Sequence, residues 1–221
     1  MKAFFFCLIL GLGTTGIANG QSLQFQLHFG SEILKLDSTY VLNDGTELSI
    51  ETLRFYVTGL EMYNAYDLIW KEENSYHLID ASKPESLIIP IPENEANWLV
   101  FKLGTDSLMN VSGAMGGDLD PSKGMYWAWN SGYINFKLEG TSSMCNTRNN
   151  SFQFHLGGYA YPNATVQTIE IPLSSRLVSV DIAEFLHGIN LAENNTIMSP
   201  GPVAVMLSEK AKHIFKLKDE N

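Results

Sequence analysis

The chain has 221 residues, 45% of them apolar and 11% aromatic, and carries a formal net charge of −10 from 24 acidic and 14 basic side chains. With no basic cluster to neutralise phosphates, that balance excludes nucleic-acid backbone binding as its main task and fits a soluble exported protein.

The first 20 residues, "MKAFFFCLILGLGTTGIANG", have the pattern of a secretory signal peptide: one lysine, an apolar run, then small residues, with cleavage expected near Gly20/Gln21. The run is short for a transmembrane span, and Cys7 lacks the small-residue setting of a lipid anchor. A periplasmic or secreted protein is therefore expected, with residues 21–221 as one domain. Only Cys145 remains after cleavage, so no intramolecular disulfide can form.

From there the chain alternates. In "SLQFQLHF", Leu23, Phe25, Leu27 and Phe29 face one way while Gln24, Gln26 and His28 face the other, the period of a half-buried strand. "LRFYVTGLEMY", "YHLID", "SLIIPI" and "NWLVFKL" are further strand segments, and Asn43-Asp44-Gly45 marks a turn. Residues 104–124 are rich in Gly and Asp and predict a long loop, a feature that is usually functional or mobile. Within it, Asp118 and Asp120 could ligate a hard cation such as calcium through several oxygens, or simply form a solvated turn before Pro121.

The stretch "GMYWAWNSGYINFKLEG", residues 124–140, sets a packing problem. Ile134, Phe136 and Leu138 fix an inward parity. If the strand runs back unbroken, Tyr126 and Ala128 also point inward, and Trp127, Trp129 and Tyr133 share the outward face. Large aromatics stay on such a face when a loop, a ligand or a partner covers them. The 104–124 loop and the C-terminal helix are the covers within the chain.

Further along, Cys145 sits in a polar turn with no histidine nearby in sequence. No G-x-S-x-G elbow or phosphate-binding loop occurs and no acid-base pair is recognisable, so an enzyme is not expected. "SFQFHL" repeats the alternation, with His155 on its polar face, and "VQTIEI" and "RLVSVDI" follow. A short helix is predicted after Asp181, stopped at Gly188. A second is predicted over "SPGPVAVMLSEKAKHIF", with Pro202 in its first turn and a stripe of Val203, Met206, Leu207, Ile214 and Phe215. The fold class is all-β: an antiparallel β-sandwich or barrel-like single domain with a short C-terminal helix.

His28 and His155 both occupy polar-face positions, where packing does not need them, and neutral imidazole is a common ligand for copper and zinc. The Trp-x-Trp-Asn-Ser-Gly-Tyr strand followed by "FQFHLGGY" resembles the MbnP-like family of copper-binding proteins. "LRFYVTGLEMY", "YHLIDASKPES" and "VDIAEFLHGI…MSPGPVA" support the resemblance, and its style is that of homologues from Bacteroidetes-type bacteria. In methanotroph members the histidine strand continues into small residues and a cysteine; here Gly157, Gly158 and Tyr159 follow. The resemblance implies a β-rich extracytoplasmic fold and copper held by histidines together with a kynurenine made from a tryptophan, installed by a diheme peroxidase-like partner. By motif it implies His155 as first ligand and Trp127 or Trp129 as the modified residue; His28, by its strand position, is a second candidate ligand and His77 of "YHLID" a third. A secreted β-sandwich module that binds a carbohydrate or protein through exposed aromatics is the alternative.

Overall fold

The computed structural model describes residues 21–130 and 132–217; the expected signal peptide lies outside the described residues. The strands are β1 (Gln21–Phe29), β2 (Glu32–Ile33), β3 (Thr39–Val41), β4 (Glu47–Asn64), β5 (Asp67–Lys71), β6 (Tyr76–Asp80), β7 (Ile88–Ile91) and β8 (Trp98–Leu103). They continue with β9 (Tyr126–Trp127), β10 (Gly132–Ser142), β11 (Ser151–Gly157), β12 (Gln167–Pro172), β13 (Leu177–Asp181), β14 (Thr196–Ile197) and β15 (Phe215–Leu217). The helices α1 (Ser107–Ser112), α2 (Ile182–Leu186) and α3 (Pro202–Lys212) are short.

Two sheets form. The smaller runs β15-β13-β1-β2, with β7 also on β1, and β1 and β13 are parallel. The larger runs β12-β8-β4-β10-β11-β14, and its long central β4 also pairs with β3, β5 and β6. Apolar side chains of alternate residues meet between the two. Phe25 of the smaller sheet lies edge-on to Phe55 and Phe101 of the larger, at centroid distances of 6.2 and 6.1 Å. This is an all-β sandwich, with mixed rather than purely antiparallel sheets.

The C-terminal helix is shorter than its apolar stripe predicts. It ends at Lys212, and Phe215 enters a strand against β13 instead. Phe215 there packs its ring 5.5 Å from Phe55 and 5.6 Å from Phe101. Sheet pairing and core burial together outweigh one more helical turn. The helix at Asp181 forms as predicted: the Asp181 carboxylate accepts the Ala183 N–H at 2.9 Å, and the chain turns at Gly188 with φ 75°.

The aromatic stretch departs most from the predicted parity. β9 folds back on β10 as a hairpin, pairing Trp127 with Gly132 and Tyr126 with Tyr133, and the register slips between Ile134 and Phe136. Ala128 and Trp129 lie in the hairpin turn and are exposed. Tyr126, expected inward, joins Trp127, Tyr133 and Ile134 in a second apolar cluster with Tyr56, Leu78 and Met125, separate from the core between the sheets. Residues 104–124 supply its cover. They form α1, capped by the Asp106 carboxylate on the Met109 N–H, and two 3₁₀ turns that place Leu119 in the cluster. The Asn110 carboxamide oxygen accepts the Tyr133 N–H at 2.7 Å, and the Tyr133 hydroxyl donates to Leu119 O while accepting the Met115 N–H, both at 3.0 Å.

Two variants test this packing. A Cβ on Gly140 would stand 2.0 Å from the Ser49 carbonyl oxygen, which cannot rotate away. Gly140→Ala should therefore cost about 3 kcal/mol or more in urea unfolding, and an unchanged midpoint would contradict the close approach. Tyr133→Phe should lose about 1–2 kcal/mol and make residues 104–124 the first site of limited proteolysis. Equal protease resistance to the parent chain would refute the hydroxyl as the loop's anchor.

Candidate metal centre

Register brings the polar residues of four strands into one row on the outer face of the larger sheet. Asp80 of β6 opposes Arg54 of β4, Arg54 opposes Lys137 of β10, and Lys137 opposes His155 of β11. Arg54 Nε donates to Asp80 Oδ2 at 2.9 Å and Nη1 to the Lys123 carbonyl at 3.1 Å, which ties the covering loop to the row. Glu139 follows Lys137 by two residues on the same face. His155 Nε2 lies 2.7 Å from Glu139 Oε1, and Lys137 Nζ lies 3.5 Å from the same oxygen. The His155 hydrogen bond, aided by the Lys137 ammonium, outweighs partial burial and lowers the Glu139 carboxyl to about 2.

A carboxylate that acidic carries no proton, so Nε2 of His155 is the donor and, in neutral imidazole, Nδ1 is the bare nitrogen. His155 is buried, and its Nδ1 has no hydrogen-bond partner among the described residues. Trp127 Nε1 is orphaned in the same way. The only other such atom among the described residues belongs to Arg176, whose Nε and Nη2 are both bonded elsewhere. The six-membered ring of Trp127 lies over Gly157, where its edge would be 2.7 Å from an added Cβ. Gly157 follows His155 by two residues in β11, so the Trp127 ring covers the next position on the same face of that strand, about 7 Å on from His155 Cα.

The other predicted ligands lie elsewhere. His28 sits on the outer face of the smaller sheet, its Nε2 2.9 Å from Gln26 Oε1, and the whole core separates it from His155. The alternation that made the two look equivalent puts them on opposite outer surfaces of the sandwich. His77 has the parity of Ile79, which packs in the main core, and its Nε2 is 2.6 Å from Glu72 Oε2. No group of three or more His, Cys, Asp or Glu able to hold a metal occurs among the described residues.

Asp118 and Asp120, the candidate calcium ligands, are both engaged by groups of the chain itself. Asp118 accepts the Leu78 N–H at 3.0 Å and the Lys123 ammonium at 2.5 Å, and although partial burial opposes it, these partners hold its carboxyl below the usual value. Asp120 caps a 3₁₀ turn through Ser122 N–H. A lysine already occupies the place of a cation. Cys145 is buried in the main core, which raises its thiol pKa.

Sequence reasoning overlooked Glu139. Its signal is present: it shares the polar parity of "FKLE" with Lys137, on the strand that pairs with the His155 strand. Metal-bound histidines commonly donate their second ring N–H to such a carboxylate, so the His155–Glu139 pair fits one imidazole ligand with its bare nitrogen already oriented. A second imidazole is not at hand. Trp129, 67% exposed, keeps its ring 5.7 Å from that of Trp127 and remains on the surface.

No helix among the described residues is long and apolar enough to cross a membrane. None of the curated proteins is significantly similar to the chain. Among solved structures, MbnP from Methylosinus trichosporium shares its fold, with a TM-score of 0.58 and 15% identity over 83% of this chain and 81% of that one. The MbnP family model matches residues 19–199, which spans the strands of both sheets up to β14 together with the Trp127 hairpin and His155, and the chain belongs to the MbnP family.

Proposed function

We propose that this protein is an extracytoplasmic copper-handling protein without catalytic activity, exported after removal of residues 1–20, with His155 as its principal ligand. The observation that carries the reading is the buried, unpartnered Nδ1 of His155. Its other nitrogen is held by Glu139, and the next outward position of its strand is covered by Trp127, whose indole N–H has no partner among the described residues. Copper is the cargo, and nitrogen donors favour it over the other divalent ions of its row. Lys137 would repel a bare cation at this place, and Glu139 offsets that charge.

Trp127 is the residue we assign to oxidative conversion to kynurenine, in preference to Trp129. Opening the indole at Trp127 would leave an aromatic amine beside the His155 strand, whereas Trp129 is directed to solvent. A diheme peroxidase-like protein is the maturation partner in this reading, acting on the hairpin that carries both rings.

Protein purified from its native host should contain copper and give a spin-resonance signal in the oxidised form. Mass spectrometry across residues 124–140 should place the oxidation on Trp127, and His155→Ala should weaken copper binding at least tenfold. His28→Ala and His77→Ala should leave it unchanged. Copper-free protein with both tryptophans intact would overturn the proposal, as would full copper retention in His155→Ala.

A further inference from the structure

A cavity lies on the same outer face at the far side of β4, between the tip of the β4–β5 hairpin and the outer residues of β8 and β12. It measures about 660 Å³ and is lined by Tyr63, Tyr66, Trp98, Val100 and Glu170, with Asn97 at its edge. Pairing builds it directly: Tyr63 opposes Trp98 across β4 and β8, and Glu170 opposes Val100 across β12 and β8. Tyr66 stands at the hairpin tip, 97% exposed, and Trp98 is 40% exposed. Neither is needed to fill the core. Among the described residues, none of the three rings stacks on another, so their faces remain available to a ligand.

The polar groups decide what kind of ligand fits. The Asn97 carboxamide is spent on the hairpin, accepting the Ala65 N–H at 3.0 Å and donating to Asn64 Oδ1 at 3.2 Å. The Tyr63 hydroxyl is spent on Glu61 at 2.6 Å, and Glu61 is neutralised by Lys71 at 2.8 Å. Glu170 is left with neither a hydrogen bond nor an ion pair among the described residues, although Lys102 lies on the same face. An ammonium group shielded by methyls needs only aromatic faces and one negative charge.

We propose that this cavity binds a small soluble quaternary or heavily substituted ammonium compound, held by Trp98, Tyr63 and Tyr66 and paired with Glu170. The net charge of −10 draws such a cation toward the protein. The site is independent of the copper reading, because His155 and Trp127 take no part in it.

Calorimetric titration of the full chain with choline and with tetramethylammonium, at ionic strength matched by sodium chloride, tests the proposal. Both should bind saturably, and glucose should not. Trp98→Ala and Glu170→Gln should each weaken binding at least tenfold, and Tyr66→Ala severalfold; because Tyr66 and Glu170 are exposed, those two variants report even if Trp98→Ala does not fold. His155→Ala should bind as the parent chain does. The proposal is overturned if neither cation binds, if glucose binds in their place, if Glu170→Gln binds unchanged, or if the chain sediments with phosphatidylcholine vesicles yet ignores free choline.

Discussion

Asn135 is the hinge on which the outer face of the larger sheet depends. It is buried at the register slip in β10, and its carboxamide joins three segments: Oδ1 accepts the Thr105 N–H at 2.9 Å, and Nδ2 donates to Thr165 Oγ1 at 2.9 Å. A buried amide left without such partners would cost about 1–3 kcal/mol, so the bulge is stable only where all three segments meet. Gly104 makes the approach possible, because a Cβ there would lie 2.4 Å from Asn135 Cγ, and its φ of 114° suits glycine. Beyond this point β10 presents Tyr133 and Ile134 to the outer cluster. The loop that begins at Thr105 is already in place to cover them.

How far the sequence could be read follows from that bulge. Strands with strict alternation, such as β1 and β11, keep their predicted parity, because a one-residue slip would turn every Phe and Leu to solvent. The helix at Asp181 is legible from its cap. Parity fails along residues 126–134, where the chain turns back at Ala128 and Trp129 and then adds a residue at Asn135. Period-two reasoning has no term for either event. The metal candidates fail in a related way: alternation tells which face of its own strand a histidine occupies, but His28 and His155 belong to different sheets. Their polar faces are therefore the two outsides of one sandwich.

Electrostatics on the outer face are arranged rather than incidental. A row of Asp80, Arg54, Lys137 and His155 crosses four strands, and the two cations in its middle would by themselves disfavour a metal at its end. Asp80 compensates Arg54 at 2.9 Å, and Glu139 stands close to both Lys137 and His155. The carboxylate therefore has two tasks. It balances the lysine, and by accepting the Nε2–H of His155 it leaves Nδ1 as the bare nitrogen of the neutral ring. One acidic residue on the polar side of β10 thus fixes both the charge balance of the row and the tautomer of its histidine.

The remaining question is access. His155 Nδ1 is shielded from water, so any group from outside can reach it only after a covering side chain moves or changes chemically. Trp127 is the side chain whose ring lies over the next outward position of β11, at Gly157, which has no Cβ to hold the ring away. An indole N–H buried without an acceptor lowers the cost of displacing or altering that ring, because no hydrogen bond is lost when it goes. Tyr133 and the 104–124 loop are anchored by several hydrogen bonds, whereas the indole nitrogen of Trp127 has none. The fold therefore holds the elements around His155 by hydrogen bonds and its tryptophan cover by packing, which leaves that ring as the part most easily changed.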